Sequence, residues 1–466
     1  MRARRPRAVA DFACPMPPVP LWLISDHGRP AHVAVVGVWY NFSVTSGNIC
    51  GMTCIMSHTP THIGAAGVEV AAIGSAGYDW RQEPVGLYLH IPFCQSKCIY
   101  CDFNSYARME DKYALFVQAI CADIRRGASW QLQGTPDCEG TFISTVYFGG
   151  GTPSVLTPRQ IAAILEAARQ RYNIAPTAEV TMEANPGAIS LEHFEGYLQA
   201  GINRLSMGVQ VLDDAMLKKL GRIHTSDEAL ESYRLARQAG FTNINLDIIF
   251  GLPGQDLAHL NRTLDRLLSI DPLPDHLSCY SLIVEEHTPL YIGVMRGLIK
   301  VPGDDEVADM YEAICERLAQ AGYEQYEISN WTLGKPCAHN LVYWHDRRYL
   351  AFGPGAHGYW ADRRYRMVLG PQDYIDRVRC GEAVVDEQED ISPEVEMGEF
   401  MMLGLRLNEG VSRAEFYRRF RTPVECVYGR EIAELVGLGL LEADHDRLRL
   451  TARGRLLGNE VFMRFI

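Results

Sequence analysis

Three cysteines stand close together in the segment HIPFCQSKCIYCDFNS, where Cys94, Cys98 and Cys101 form a CxxxCxxC array. Each thiolate could bind one iron of a cubane, because iron–sulfur clusters are held by cysteine thiolates. Three ligands would leave the fourth iron of a [4Fe–4S] cluster open. Zinc is the alternative, but zinc sites of this kind usually combine two close pairs of ligands, and no second close pair follows in the sequence. The spacing therefore favours a cluster.

The cysteine array follows the first of several β-branched segments that alternate with helical patterns, as is typical of parallel βα units. Six such units make a barrel or most of one, and the loops after barrel strands form the active-site face. The cysteine array therefore lies on the face of the barrel where an active site is expected. The predicted elements are strands at 86–92, 144–149, 178–184, 204–210, 244–251, 276–283 and 323–330, and helices at 158–172, 226–239 and 304–321.

A short glycine-rich segment follows the second predicted strand and contains Gly150, Gly151 and Thr152. Backbone without side chains can approach a ligand closely and donate N–H groups to it. A P-loop is excluded because no GK[ST] follows. The segment is interpreted as a ligand-binding loop, with a simple tight turn as the alternative.

Polar side chains also occur in the third, fourth and fifth predicted strands, at Glu183, Gln210 and Asp247. Polar or charged groups inside an apolar barrel are costly unless they are paired. We interpret these residues as ligand contacts, and a buried structural ion network is the alternative.

The CxxxCxxC loop after the first strand of a barrel resembles the radical S-adenosylmethionine (SAM) superfamily, over residues 85 to 330. In that superfamily a [4Fe–4S] cluster cleaves SAM reductively to a 5′-deoxyadenosyl radical and methionine. The resemblance implies that the glycine loop meets the methionyl amine and that Arg222 meets the carboxylate. Tyr100 would pack beside the cluster or the adenine, with ordinary loop packing as the alternative. The implied SAM contacts are Tyr88, Tyr100, Gly150, Gly151, Thr152, Glu183, Gln210, Arg222, Asp247 and Ser281.

Residues 85 to 466 resemble the oxygen-independent coproporphyrinogen III oxidase family, and within it the heme-chaperone branch. Phe103 stands where the decarboxylases of the family typically carry a further cysteine. His339, Asn340, Tyr343 and Trp344 match the HNxxYW motif associated with the chaperones. Both features favour the chaperone branch.

A histidine among aromatic residues suits heme, which needs an axial ligand and flat apolar surfaces. His339 is accordingly the predicted heme-binding residue. A core or capping role for His339 is the alternative, and Cys337 and His357 are other candidate ligands.

The resemblance implies a heme chaperone that binds heme, a [4Fe–4S] cluster and SAM and transfers heme to client hemoproteins, of the respiratory class. The alternative is an oxygen-independent coproporphyrinogen III oxidase that decarboxylates propionates by a 5′-deoxyadenosyl radical in porphyrin biosynthesis. A radical SAM enzyme with another substrate is a third hypothesis. No catalytic residue is assigned, and a homodimer is expected from resemblance alone.

Composition limits the compartment and the partners. A net charge of −13 argues against a general footprint for nucleic acid. No segment approaches the roughly 18 apolar residues of a membrane span, although peripheral membrane contact stays open. Thirteen cysteines without dense disulfide spacing fit a reducing compartment. We therefore predict a cytoplasmic protein.

Four regions are predicted in the 466 residues. Residues 1–83 form an extension that is poorly ordered or results from an early start codon. Residues 84–330 form the barrel with the cluster and SAM site, 331–370 a linker with the HNxxYW motif, and 371–466 a C-terminal domain. The fold class is α/β: a radical SAM partial (β/α)6 TIM-type barrel followed by a small, mainly α, winged-helix-like domain.

Overall fold

The computed structural model describes residues 78–132, 134–187 and 189–466. The predicted extension therefore lies outside the described residues except for its last six positions. The strands are β1 (Val85–Ile91), β2 (Phe93–Cys94), β3 (Tyr106–Ala107), β4 (Phe142–Gly150), β5 (Asn173–Ala184), β6 (Arg204–Gln210), β7 (Ile244–Phe250), β8 (His276–Ser281), β9 (Glu324–Glu327), β10 (Asn330–Thr332), β11 (Tyr349–Phe352), β12 (His357–Trp360), β13 (Arg363–Met367), β14 (Val385–Asp390), β15 (Val411–Ser412), β16 (Leu441–Ala443) and β17 (Arg447–Leu450).

The helices alternate with the strands in the first half of the chain and dominate its end. They are α1 (Tyr113–Arg126), α2 (Pro158–Arg171), α3 (Leu191–Ala200), α4 (Asp214–Lys219), α5 (Ser226–Gln238), α6 (Leu257–Leu268), α7 (Pro289–Met295), α8 (Asp304–Gln320), α9 (Ala338–Trp344), α10 (Pro371–Cys380), α11 (Pro393–Gly404), α12 (Arg413–Phe420), α13 (Val424–Gly437), α14 (Ala452–Leu456) and α15 (Gly458–Phe462).

One large sheet of twelve strands organises the described chain, in the order β14-β13-β12-β11-β1-β4-β5-β6-β7-β8-β10-β9. Its centre, from β1 through β8, is six parallel strands. All seven residues of β1 are buried, as expected for a parallel strand that is covered on both faces. The predicted partial (β/α)6 barrel is thereby confirmed.

The helices follow from capping and apolar spacing in the sequence. In α2, Thr157 caps the first turn in a capping box with Gln160, which satisfies backbone N–H groups that have no partner within the helix. Ile161, Ile164 and Leu165 of the same helix are buried against the sheet. The 3.6-residue period therefore predicted this helix correctly.

The segment 331–370 is not a linker. It contains α9 and the three strands β11 to β13, and β11 pairs in parallel with β1, with Gly86 opposite Tyr349 and Leu89 opposite Phe352. The prediction failed because these strands have only four or five residues, too few to show a period, and because β13 contains three arginines. Their position in the sheet brings the HNxxYW helix α9 close to β1 and β4.

The C-terminal part packs around Phe400, Phe416 and Leu435, in a second core that also includes Tyr343 of α9 and Tyr349 of β11. Its helices α11 to α13 accompany a small antiparallel sheet of order β15-β17-β16, which matches the predicted mainly helical, winged-helix-like domain. By contrast, α10 and β14 pack with the large sheet, so the predicted boundary at 371 stays a prediction. Within the described residues, no helix is long and apolar enough to cross a membrane.

Candidate functional site

One cavity at the carboxyl ends of the parallel strands brings all the predicted site residues together. It encloses about 1410 Å³, including the part that is open to solvent. That each residue binds a cofactor stays a prediction, but all the residues predicted from the sequence line this one cavity. Those residues are Tyr88, Cys94, Cys98, Tyr100, Cys101, Gly150, Gly151, Thr152, Glu183, Gln210, Arg222, Asp247, Ser281 and His339.

Hydrogen bonds to backbone atoms fix the shape of the cysteine loop. Strands β2 and β3 pair with Cys94 opposite Ala107, which closes the loop at its base. The Lys97 ammonium donates to the carbonyl oxygens of Phe103 and Ser105 at 2.9 and 3.2 Å. In the middle of the loop, the Ile99 N–H donates to the Leu220 carbonyl at 3.1 Å. The loop therefore has a defined shape that does not depend on its thiols.

The environment of the thiols fits an iron–sulfur cluster. In the part of the chain that the structure describes, no three His, Cys, Asp or Glu side chains converge as a single metal ion requires. Burial and the neighbouring Cys98 raise the pKa of Cys101 to about 12. The Cys101 thiol therefore loses its proton only when a cation stabilises the thiolate, and a bound metal ion is such a cation.

Polar groups already contact two of the sulfurs. The Thr152 hydroxyl donates to Cys94 Sγ at 3.5 Å, and Arg222 Nη1 donates to Cys98 Sγ at 3.7 Å. A Cβ atom at Gly151 would lie 2.5 Å from the Phe93 carbonyl oxygen and 3.0 Å from Cys94 Sγ. Glycine is therefore required there by space, and the loop lies directly against the first cysteine.

Glu183 occupies the end of β5, where it accepts two hydrogen bonds. Its Oε1 accepts from the Tyr147 hydroxyl at 2.9 Å and its Oε2 from the Gly150 N–H at 3.1 Å. Burial and the neighbouring Asp247 raise the pKa of Glu183 to about 8. A cationic group that binds this carboxyl must displace its proton, so binding should strengthen as the pH rises.

Asp247 lies beside Glu183 on the same wall. Its carboxylate accepts from the Ser206 hydroxyl at 3.1 Å and from Asn245 Nδ2 at 2.8 Å. Burial raises its pKa to about 6. These bonds show that Asp247 belongs to a structural network, and its contact with a ligand stays a prediction.

Arg222 is partly buried between the cysteine loop and β6. Its Nη2 donates to Asn185 Oδ1 at 2.9 Å and to the Gly208 carbonyl at 2.6 Å, while its Nε has no acceptor among the described residues. A Cβ at Gly208 would lie 3.3 Å from Nη2, so the glycine provides room for the guanidinium. The contact with the SAM carboxylate, which the family resemblance implied for this guanidinium, stays a prediction.

Gln210, the last residue of β6, has a φ of 68°. This left-handed conformation is uncommon for a residue with a side chain, and such strain concentrates at binding sites. The conformation accompanies a shift in the register between β6 and β7. This conformation changes the direction of the backbone at the end of β6, at the rim of the cavity.

The pH dependence of SAM binding tests the role of Glu183. A cationic amine requires the carboxylate, so protons must leave Glu183 when SAM binds below pH 8. Between pH 6.5 and 7.5 we expect SAM affinity to increase about eightfold in titration calorimetry, as linkage to a group with a pKa of about 8 requires. Glu183→Gln should bind more weakly and show a flat profile. A wild-type profile that is equally flat would contradict the assignment.

His339 lines the cavity from α9, but its ring is already engaged. Its Nδ1 hydrogen-bonds with the Thr145 hydroxyl and its Nε2 with the Tyr343 hydroxyl, both at 2.8 Å. The residue is 1% exposed, and burial together with Arg204 lowers its pKa to about 3. It is therefore a neutral imidazole, and binding heme iron would require it to give up one of these bonds.

The alternative heme ligands lie in different surroundings. Cys337 is buried, donates its thiol proton to Glu179 Oε1 at 3.4 Å, and has a pKa raised to about 12 by burial. His357 does not line the cavity. Neither Cys337 nor His357 lines the cavity, whereas His339 does.

Some lining residues were not singled out in the sequence. Tyr147 and Asn185 hold Glu183 and Arg222 in place. Tyr147 could have been found from strand alternation, because it lies two positions before Gly149 in β4, and Asn185 from its place directly after β5. Glu285 lies in an irregular segment after β8, where no periodic pattern applies.

Comparisons with known proteins agree with this geometry. A model of the radical SAM superfamily matches residues 88–267, and one of the HemN C-terminal domain matches residues 391–457. The heme chaperone HemW of Lactococcus lactis is 37% identical over 386 residues, covering 83% of this chain and 98% of the relative. HemW of Escherichia coli is 34% identical, covering 83% and 99%. The chain belongs to the HemW family of radical SAM proteins.

A solved structure supports the fold of this HemW-family chain. Coproporphyrinogen III oxidase HemN from Escherichia coli, a radical SAM enzyme, superposes with a TM-score of 0.71 at 23% identity, covering 84% of this chain and 91% of that protein. At that identity the likeness establishes the fold alone. Membership of the family implies a [4Fe–4S] cluster and SAM, and the cavity offers groups suited to both.

Proposed function

We propose that this protein is a heme chaperone that binds heme, a [4Fe–4S] cluster and SAM and transfers heme to client hemoproteins of the respiratory class. The observation that carries the proposal is one cavity lined both by the three cysteines and by His339, Asn340 and Tyr343 of the HNxxYW helix. The names of relatives at 34–37% identity support it. A homodimer and a cytoplasmic location belong to the same proposal.

In this proposal the two ends of the cavity have separate tasks. Cys94, Cys98 and Cys101 hold the cluster. When the cluster and SAM are both bound, they would supply the reductive cleavage of SAM to a 5′-deoxyadenosyl radical. Glu183 binds the methionyl amine and Arg222 its carboxylate, so that SAM is oriented by charges of opposite sign. Both groups are partly buried, so each interaction is stronger than between fully exposed charges.

The wall beside α9 offers aromatic surface for a tetrapyrrole. The rings of Tyr147 and His339 stack with centroids 5.0 Å apart, and Tyr88 stacks on Tyr147 at 6.2 Å. Flat apolar faces with a nearby imidazole are what a heme macrocycle and its iron require. Opening of the His339–Tyr343 bond would make Nε2 available as a ligand.

Heme titration of the anaerobically reconstituted full chain, with and without SAM, tests the proposal. We expect stoichiometric binding with a defined Soret band. His339→Ala should weaken binding or shift the band, because the predicted iron ligand is lost. His259→Ala is the matched control, since His259 lies on α6 and does not line the cavity. Absence of stoichiometric binding to the wild type would overturn the chaperone function.

Incubation with coproporphyrinogen III separates the chaperone from the decarboxylase. With SAM and an electron donor under anaerobic conditions, a chaperone should release no carbon dioxide and form no protoporphyrinogen. Clear turnover would favour the enzyme instead. An unchanged Soret band in His339→Ala would leave the chaperone function standing but move the ligand to another residue.

A further inference from the structure

A row of polar side chains runs through the interior of the large sheet, from its edge strand β9 to Asp247. Its members are Asn245 of β7, His276 of β8 and Tyr326 of β9, and all three are buried. We call these three residues the Asp247 network. None of them lines the cavity, whereas Asp247 does. Buried polar groups are costly unless each has a partner, so the partners show what the network supports.

The orientation of the Asn245 amide follows from its partners. Its Nδ2 donates to Asp247 Oδ1 at 2.8 Å and to the Ser206 hydroxyl oxygen at 2.7 Å. Its Oδ1 lies 2.7 Å from His276 Nδ1. An amide oxygen only accepts hydrogen bonds, so His276 carries a proton on Nδ1 and donates it to Asn245.

The other ring nitrogen of His276 completes the network. Nε2 lies 2.9 Å from the Tyr326 hydroxyl. Burial and the neighbouring Arg204 hold the pKa of His276 well below its usual range, so the ring is neutral and Nε2 accepts from Tyr326. Every donor therefore faces the same way, from Tyr326 through His276 and Asn245 to Asp247.

Among the described residues, His276 is the donor best placed for the Asn245 oxygen. The Ser278 hydroxyl lies 3.1 Å from that oxygen but only 2.7 Å from Asn330 Oδ1, and it has one proton to give. Asn330 donates from Nδ2 to Glu327, so its Oδ1 is free to accept that proton. Without His276, the Asn245 amide would lose the partner that fixes its rotation.

The outer end of the Asp247 network is anchored by the C-terminal part. The Asn408 N–H donates to the Tyr326 carbonyl oxygen at 2.9 Å. The Arg406 guanidinium donates at 3.3 Å to Glu327, the next residue of β9. Tyr326 also packs in the second core. The first hydroxyl of the network is therefore fixed, and a polar group held by such support is typical of binding sites.

We propose that His276 is a positioning residue for SAM: it fixes the Asn245 amide, which in turn holds the Asp247 carboxylate in place to accept a hydrogen bond from SAM. The inference rests on the proposed function only in that SAM occupies this cavity. Asp247 Oδ1 and Oδ2 each accept one bond from the protein, and a carboxylate oxygen can accept a second. The buried network thereby serves the contact with the ligand.

A double-mutant cycle with the full, cluster-reconstituted chain tests this role, with SAM affinity measured by titration calorimetry. His276→Leu should bind SAM about tenfold more weakly, as the loss of about one hydrogen bond predicts. Asp247→Asn should weaken binding by at least as much. In the Asp247→Asn background, His276→Leu should change the affinity less than about twofold, because the carboxylate that His276 positions is already absent.

Three further variants separate positioning from general stability. His276→Asn keeps an N–H near the place of Nδ1 and should bind SAM within about threefold of wild type. Tyr326→Phe removes only the first hydroxyl of the network and should weaken binding about threefold. Tyr323→Phe is its matched control, because the buried Tyr323 donates to the Pro274 carbonyl at 2.7 Å, outside the network. It should bind SAM as wild type does.

Three outcomes would overturn the proposal. The first is an additive cycle, in which His276→Leu weakens SAM binding equally in both backgrounds, because the histidine would then act on the fold as a whole. The second is an Asp247→Asn protein with unchanged SAM affinity. The third is a Tyr326→Phe protein that binds SAM as well as Tyr323→Phe, a comparison that needs no His276 variant to fold. Failure of wild-type heme titration, by contrast, would remove the chaperone function and leave the role of His276 intact.

Discussion

Replacing Cys98 by alanine is expected to remove the bound iron and sulfide and the visible absorbance of the reconstituted protein. A [4Fe–4S] cluster on three protein ligands loses a third of its thiolates in this variant. Arg222 also loses the sulfur to which it donates at 3.7 Å, so its guanidinium would keep a buried charge with one partner fewer. Iron and acid-labile sulfide analysis after anaerobic reconstitution measures the effect.

Cys380→Ala is the matched control for the cluster prediction. Cys380 is exposed at the end of α10 and does not line the cavity, so iron and sulfide should stay at the wild-type level. Equal iron and sulfide content in Cys98→Ala and wild type would refute the ligand assignment. Stoichiometric zinc without sulfide in the wild type would instead support the alternative that the spacing left open.

Burial disfavours the charged form of several acidic groups in the cavity. Glu183, Asp247 and Cys101 all have a raised pKa, and burial is the main cause for each. A cation that binds beside such groups must displace their protons, so its affinity should increase as the pH rises. A sulfonium, an ammonium and iron are all cationic, which agrees with the cofactors that the family implies.

The sequence predicted the barrel well because short segments rich in apolar and β-branched residues alternate with helical patterns. β6 was predicted with the same bounds as observed, and β1, β7 and β8 within two residues at each end. The site residues were found for a related reason: parallel strands end at one edge of a sheet, so residues at strand ends meet in space. Spacing and topology selected the cysteines, the glycine loop, Glu183, Gln210 and Asp247, whereas Tyr88, Arg222 and Ser281 came from the family resemblance.

The sequence could not predict what depends on packing between distant segments. The pairing of β11 with β1 joins residues about 260 positions apart, and no local pattern encodes it. Likewise, the HNxxYW motif marks His339 but does not reveal that Thr145 and Tyr343 occupy both of its ring nitrogens. Such facts follow from three-dimensional neighbours alone.

A buried ion cluster joins the C-terminal part to the segment after α9. Arg419 of α12 is 2% exposed and donates from Nη2 to Asp346 Oδ2 at 2.7 Å and to Glu396. Arg348, also 2% exposed, donates to the same Glu396 oxygen at 2.8 Å. These residues connect α11 and α12 to the end of the HNxxYW helix, so they link the C-terminal core to the wall of the cavity.

Arg419→Met is expected to destabilise the protein by about 3–5 kcal/mol, because it leaves Asp346 as a buried carboxylate without its cation. Methionine keeps most of the side-chain volume, so the loss reports the charge and not a cavity. Urea unfolding of the full chain, followed by tryptophan fluorescence, measures the change. Arg430→Met removes an exposed arginine that pairs with Glu431 on α13, and its midpoint should match wild type. A loss below about 1 kcal/mol in Arg419→Met would contradict the prediction, since it would mean that the carboxylate finds another partner.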